Sequence, residues 1–144
     1  MKIRKTTKKD FKEIANLMNE EFSKPPFNER SSLKNILKSI RFFYKIGNTN
    51  LAIENKKIVG VIVFKQEQYW EGPSILIEDL AVRKDFQKKG VGRLLMNDLE
   101  KYAKKKKINA IYFLTHKKSS AIKFYKKLGY KHRPNIVFFK KKLK

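Results

Sequence analysis

The chain has 144 residues, 41% of them hydrophobic and eleven of them Phe, which is enough for one folded domain with its own core and too few for two. Thirteen acidic residues stand against thirty-six Lys and Arg, a formal net charge of +23, and cysteine is absent. Disulfides, thiolate metal sites and a cysteine nucleophile are therefore excluded, and with only His116 and His132 no metal centre is expected. The charge is lopsided. From Lys101 to Lys144 there are sixteen Lys and Arg and no Asp or Glu. Such a field attracts anions, so it suits a phosphate-bearing ligand and also a nucleic-acid or ribosomal surface. Lys outnumbers Arg thirty to six, whereas phosphate-reading surfaces favour Arg, so a merely lysine-heavy surface is the plainer account. No apolar run approaches the ~20 residues needed to span a membrane, and the polar start Met1–Lys5 is unlike a signal segment, so a cytoplasmic protein is expected.

In chain order, Met1–Lys5 reads as a short strand. Thr7-Lys8-Lys9-Asp10 reads as a capping box that opens a helix with Phe11, Ile14, Ala15, Met18 and Phe22 on one face. Lys24-Pro25-Pro26-Phe27 breaks it. Ser31 or Ser32 caps a second helix with Leu33, Ile36, Leu37, Ile40 and Phe43 or Tyr44 in register, and Gly47-Asn48 ends it. Leu51–Ile53 and Ile58–Phe64 pair around the turn Glu54–Lys57. Tyr69–Pro73 is expected as a loop with exposed aromatics, and Ile75–Val82 as the next strand. A third helix carries Val91, Leu94, Leu95, Leu99, Tyr102 and Ala103 on one stripe. Ala110–Leu114 is a short strand, Ser119–Leu128 a helix closed by Gly129, and Ile136–Phe139 a closing strand. The order β-α-α-β-β-β-α-β-α-β has no repeat or linker and gives a single α/β domain over residues 1–144, with a mixed sheet and about four helices.

The stretch Gln87-Lys88-Lys89-Gly90-Val91-Gly92-Arg93 sits at the turn from strand to third helix. Two glycines there leave backbone N–H groups unshielded, the helix start has unpaired donors and the positive end of the dipole, and Lys88, Lys89 and Arg93 add full charges. This is the chemistry of a diphosphate cradle. It is not a Walker loop, since no Gly-Lys-Ser/Thr closes it, and its glycine spacing is not that of a dinucleotide fold. It resembles the Gln/Arg-x-x-Gly-x-Gly/Ala signature of the GCN5-related N-acetyltransferase (GNAT) family, through Gln87, Gly90 and Gly92. The element order is similar to that family's over essentially the whole chain.

The resemblance implies an acetyl-CoA-dependent transfer of acetyl to a primary amine by direct attack in a ternary complex. It implies that residues 87–93 hold the diphosphate and that Leu80, Ala81 and Val82 offer main-chain groups to the pantetheine arm. An alkylammonium has a pKa near ~10, so the reaction needs a base. Glu78-Asp79 lies inside an apolar strand, which is costly unless the carboxylates are used. Alternation along a strand puts one of the two in the cleft. Ile-Glu-Asp-Leu-Ala-Val resembles polyamine-type members, which favours Glu78, with Asp79, His116 or water open as alternatives. Ala121–Tyr130 resembles the second signature, Ala-x-x-x-Tyr-x-x-x-Gly-Phe/Tyr, which makes Tyr125 the acid for the departing thiolate. Lys118 stands where the family has a cofactor-touching Asn, and a phosphate contact is expected of it. The acceptor region falls on Pro25–Glu29 and Tyr69–Glu71. A small amine is the favoured acceptor. Protein N-termini or lysines (the ribosomal-protein type), or a basic binding module that keeps the coenzyme A site, are alternatives, and a homodimer is compatible with all of them.

Overall fold

Arg4 sets the entry to the first helix. Its guanidinium donates to both carboxylate oxygens of Asp10, at 2.8 and 2.9 Å, and the Thr7 N–H donates to Asp10 Oδ2 at 2.8 Å. The Arg4 contact, with Thr7 behind it, holds the Asp10 carboxyl down at about 2. The expected box is thus present, but it closes a single 3₁₀ turn, Lys8–Asp10, which runs into α1 (Phe11–Phe22). The Ser32 hydroxyl accepts from the Asn35 N–H at 3.1 Å and caps α2 (Leu33–Ile46).

The computed structural model describes all 144 residues. Five strands form one sheet in sequence order: β1 (Lys2–Lys5), β2 (Asn48–Glu54), β3 (Lys57–Tyr69), β4 (Gly72–Val82) and β5 (Ala110–Tyr112). The first four pair antiparallel and β5 joins β4 in parallel, so the sheet is mixed. α3 (Val91–Lys105) makes the crossover from β4 to β5, and α4 (Ile122–Lys127) follows. On one face α1 and α2 bury Ile14, Leu17 and Ile40 against Leu51, Val61 and Val63. On the other, α3 packs Leu95, Met96 and Leu99 on Val59, Ile62, Phe64, Ile75 and Ile77, with Phe124 and Tyr125 of α4 at the margin. Burying a Leu or Ile on either face is worth roughly 1.5–3 kcal/mol, and the alternation along β3 feeds both layers. No helix is long and apolar enough to cross a membrane.

Three elements differ from the sequence reading. The Tyr69–Pro73 loop is only a two-residue turn, because Gly72 takes φ +126° and lets β4 restart at once; Trp70 is left fully exposed at its tip. The last helix is cut to Ile122–Lys127 because the Ser119 hydroxyl accepts from the Ala121 N–H at 3.2 Å and shapes the approach as a turn. The closing strand over Ile136–Phe139 does not form, and all four residues are at least 66% exposed. The N–H of Ile136 is taken by Arg133 O at 3.2 Å in a turn containing Pro134. None of the sheet's pairings includes these residues, and its last strand, β5, ends at Tyr112. Strand propensity without an edge to pair with gives no ladder.

Candidate active site

β4 supplies the first half of the site. Its register against β3 shifts so that Val63 faces Asp79 while Phe64 faces Ile77, which leaves Glu78 as an extra residue in a bulge. The bulge breaks the alternation expected from sequence. Ile77 points to the α3 layer, whereas Asp79 and Ala81 both belong to the α1–α2 side. Glu78 is on that side too, since its Oε1 lies 3.5 Å from the Nζ of Lys65. Both carboxylates therefore share one face, the sort of re-aiming for which bulges are used. Asp79 lies against Ile14, Met18, Ile40 and Val63. Burial first, then the charges of Glu78 and Glu29, push its carboxyl up to about 6. Glu29 thus comes from the α1–α2 loop toward the same place.

Pairing with β5 stops at Leu76 opposite Tyr112, while β4 continues to Val82. From Ile77 onward the outer edge of β4 has no strand beside it. The peptide groups of Leu80, Ala81 and Val82 lie on this stretch, except that Val82 O already accepts from the Gln87 side-chain amide at 2.9 Å.

The second half is the start of α3. Gly90 is its N-cap at φ +88°, and a Cβ placed there would meet nothing within 4 Å. Lys88 also has positive φ, +61°. Leu94 N–H donates to Gly90 O at 2.9 Å, so the N–H groups of Val91, Gly92 and Arg93 lie in the helix's unpaired first turn. No acidic residue stands in that turn. Gly92 has a different task, for its Cβ would come within 3.2 Å of the Phe124 ring; its bareness lets α4 approach α3. Gln87 is a tether in this structure. Its amide donates to Glu21 Oε1 of α1 at 2.7 Å as well as to Val82 O. The Lys89 ammonium lies over the Phe86 ring, 5.5 Å from its centroid.

Tyr125 packs between Phe113, with ring centroids 4.4 Å apart, and Phe124 at 5.2 Å. Burial pushes its phenol up to about 12, so it keeps its proton throughout the physiological range.

A mixed sheet with a bulged fourth strand, a bare strand edge and a glycine-capped helix beside it is now in view, and comparison with known proteins gives it a lineage. The model of the acetyltransferase (GNAT) family matches residues 11–130. The chain belongs to the GNAT acetyltransferase family. It is accordingly an acyltransferase, of a family whose acetyl donor is acetyl-CoA. A possible acetyltransferase from Clostridium difficile 630 superposes with TM-score 0.87 at 17% identity, covering 99% of this chain and 98% of its own. The aminoglycoside 6′-N-acetyltransferase AAC(6′)-IG from Acinetobacter haemolyticus gives 0.80 at 17%, with both chains covered completely. The aminoglycoside acetyltransferase meta-AAC0020 from an uncultured soil metagenomic sample, in complex with sisomicin, gives 0.78 at 20%, covering 99% and 96%. At these identities the likeness is one of fold. No curated protein matches the chain significantly.

Within the GNAT fold the remaining sequence candidates scatter. Lys118 lies exposed in the turn before α4, its N–H donating to His116 Nδ1 at 3.1 Å. Three residues that sequence reasoning passed over, Lys65, Glu67 and Tyr112, gather on the Glu78 face. Their one sequence signal is alternation along β3, which places Lys65 and Glu67 on a common face without saying what they meet.

Proposed function

We propose that this GNAT protein transfers acetyl from acetyl-CoA to a primary amine of a small cationic acceptor, by direct attack within a ternary complex. The observation that carries this reading is the convergence of the unpaired β4 edge, the donor-rich start of α3 and the Glu78–Asp79 face. The groups present fit an elongated donor with a diphosphate. The N–H groups of Val91, Gly92 and Arg93 and the side chains of Lys88, Lys89 and Arg93 would hold the phosphates. Leu80, Ala81 and Val82 would pair with the pantetheine amides along the open edge, and Gln87 would exchange its present partners for the ligand. Bound acetyl-CoA supplies an activated acyl carbon.

The chain's own residues do the rest. Glu78, on the open face, removes a proton from the acceptor ammonium, directly or through water. Asp79 is largely covered by aliphatic side chains, and it would add negative potential that draws the ammonium in. Main-chain N–H groups freed by the bulge polarise the acyl carbonyl, an effect worth about 3–4 kcal/mol per donor in acyl transfer. Tyr125 delivers the proton the leaving thiolate needs, and its burial keeps that proton available.

The test is a panel of amines scored by free-thiol release from acetyl-CoA, including aliphatic amines, an aminoglycoside (since two structural neighbours are named for that class) and peptides with free amino termini. Release with small amines and not with peptides supports the reading. Release with peptides alone overturns its acceptor class, and release with none overturns the reading.

A further inference from the structure

β3 and β4 run on past the α1–α2 layer, and the sheet face they expose there is fixed by register. Lys65 stands opposite Leu76, Leu76 opposite Tyr112, and Glu67 opposite Ser74. Lys65, Glu67, Tyr69 and Tyr112 therefore share a face with Glu78. The Glu67 carboxylate accepts from the hydroxyls of both Tyr69 and Tyr112, the latter at 2.8 Å. The Tyr69 hydroxyl is the main cause holding the Glu67 carboxyl below the usual carboxylate range. Glu67 is thus an oriented anion. Between it and Glu78 lies the Lys65 ammonium, 3.6 Å from Glu67 Oε1 and 3.5 Å from Glu78 Oε1.

Those distances are too long for good hydrogen bonds, and the Lys65 side chain is 30% exposed. Ion pairs of this kind contribute little and exchange readily. Nothing buried depends on Lys65. The chain has thirteen acidic residues against thirty-six basic ones, so two carboxylates turned toward one cation run against its general field. A lysine Nζ is a primary ammonium on a saturated carbon, which is also the chemistry of the acceptor assigned to this face.

We propose that Lys65 keeps the acceptor's seat: an incoming aliphatic diammonium compound displaces its Nζ, pairing one ammonium with Glu67 and presenting the other beside Glu78. Lys65 is then a specificity-determining residue, which raises the KM of cationic acceptors by competing with them. The two carboxylate oxygens, each within 3.6 Å of one Nζ, lie no more than about 7 Å apart. That span suits two ammonium groups separated by a short aliphatic chain. The proposal rests on the reading of the Glu78 face as the acceptor side, and its test separates the two.

Lys65→Met keeps most of the apolar stem and removes the charge. Initial rates of thiol release with 1,4-diaminobutane and with butylamine give KM and kcat for wild type and variant, and calorimetry with the coenzyme A-saturated proteins gives diamine affinity without turnover. The expected result is a KM and Kd for the diamine lowered roughly threefold or more, with a smaller change for butylamine. Glu67→Gln in the same assays raises the diamine KM and leaves butylamine nearly unaffected. A diamine that binds K65M no more tightly than wild type overturns the proposal, whether or not the proteins turn it over. An absence of thiol release with every amine, alongside tighter diamine binding by K65M, overturns the proposed reaction and leaves the Lys65 seat standing.

Discussion

At the scale of single residues, the two carboxylates of the bulge differ in their partners: Glu78 lies 3.5 Å from the Lys65 ammonium, whereas Asp79 sits against Ile14, Met18, Ile40 and Val63. Asp79 is largely desolvated and has no counter-charge, so its folded pKa of about 6 lies above its ordinary value of 3.8. A raised carboxylate favours the folded state while protonated, below about pH 4, and that advantage is lost as pH rises through 6. Asp79→Asn should therefore gain stability over wild type at pH 8, on the order of 2 kcal/mol, and little at pH 4, read as the Tm difference at the two pH values. Equal differences at both would show that Asp79 is already compensated. Glu78→Gln should lower kcat and push the pH–rate profile to demand higher pH, because more of the acceptor must arrive deprotonated; an unmoved profile would place the base elsewhere. Tyr125→Phe should lower kcat about a hundredfold or more while acetyl-CoA affinity changes little, since the ring still packs on Phe113 and Phe124. An unaltered kcat would remove Tyr125 as the acid.

At the scale of elements, the proposed reading makes α3 and its cap decide whether a cofactor is held. Gly90 adopts φ +88° in open space, so a side chain there meets no clash and only backbone strain. Gly90→Val should cost roughly 1–3 kcal/mol of local strain, disorder the helix start and abolish measurable acetyl-CoA binding by titration, with Tm confirming that the domain still folds. Affinity unchanged from wild type would refute the cradle. The helices and the central hairpins were legible in sequence, because Ile14, Ala15 and Met18 keep helical spacing and Ile58–Phe64 feeds two cores. The resemblance pointed to the glycine loop and to Tyr125, which the structure places at the start of α3 and between Phe113 and Phe124. The shared face of Glu78 and Asp79 was not legible, since a bulge is a property of two strands together and appears in neither alone. Gly92's contact with Phe124 was hidden for the same reason. Ile136–Phe139 shows the converse: strong local preference alone makes no strand when no ladder hydrogen bonds form.

At the scale of the whole molecule, sixteen positive charges in the acid-free segment 101–144 set a positive background around a local cluster of carboxylates, Glu67, Glu78 and Asp79. The positive background concentrates an anionic donor near α3. On the proposed reading, the cluster around Glu78 would give a cationic acceptor a local attraction that the net charge alone denies it. On that reading the two meet at β4, where the unpaired edge begins beside the Glu78 bulge. The claim on which all of this depends is that the amino end of α3 grips the donor's diphosphate, and a crystal structure of the coenzyme A complex tests it most directly. The account predicts diphosphate oxygens within hydrogen-bond distance of the N–H groups in 90–93, with the pantetheine alongside 80–82. A diphosphate bound elsewhere, with the Gly90 loop unengaged, would contradict it.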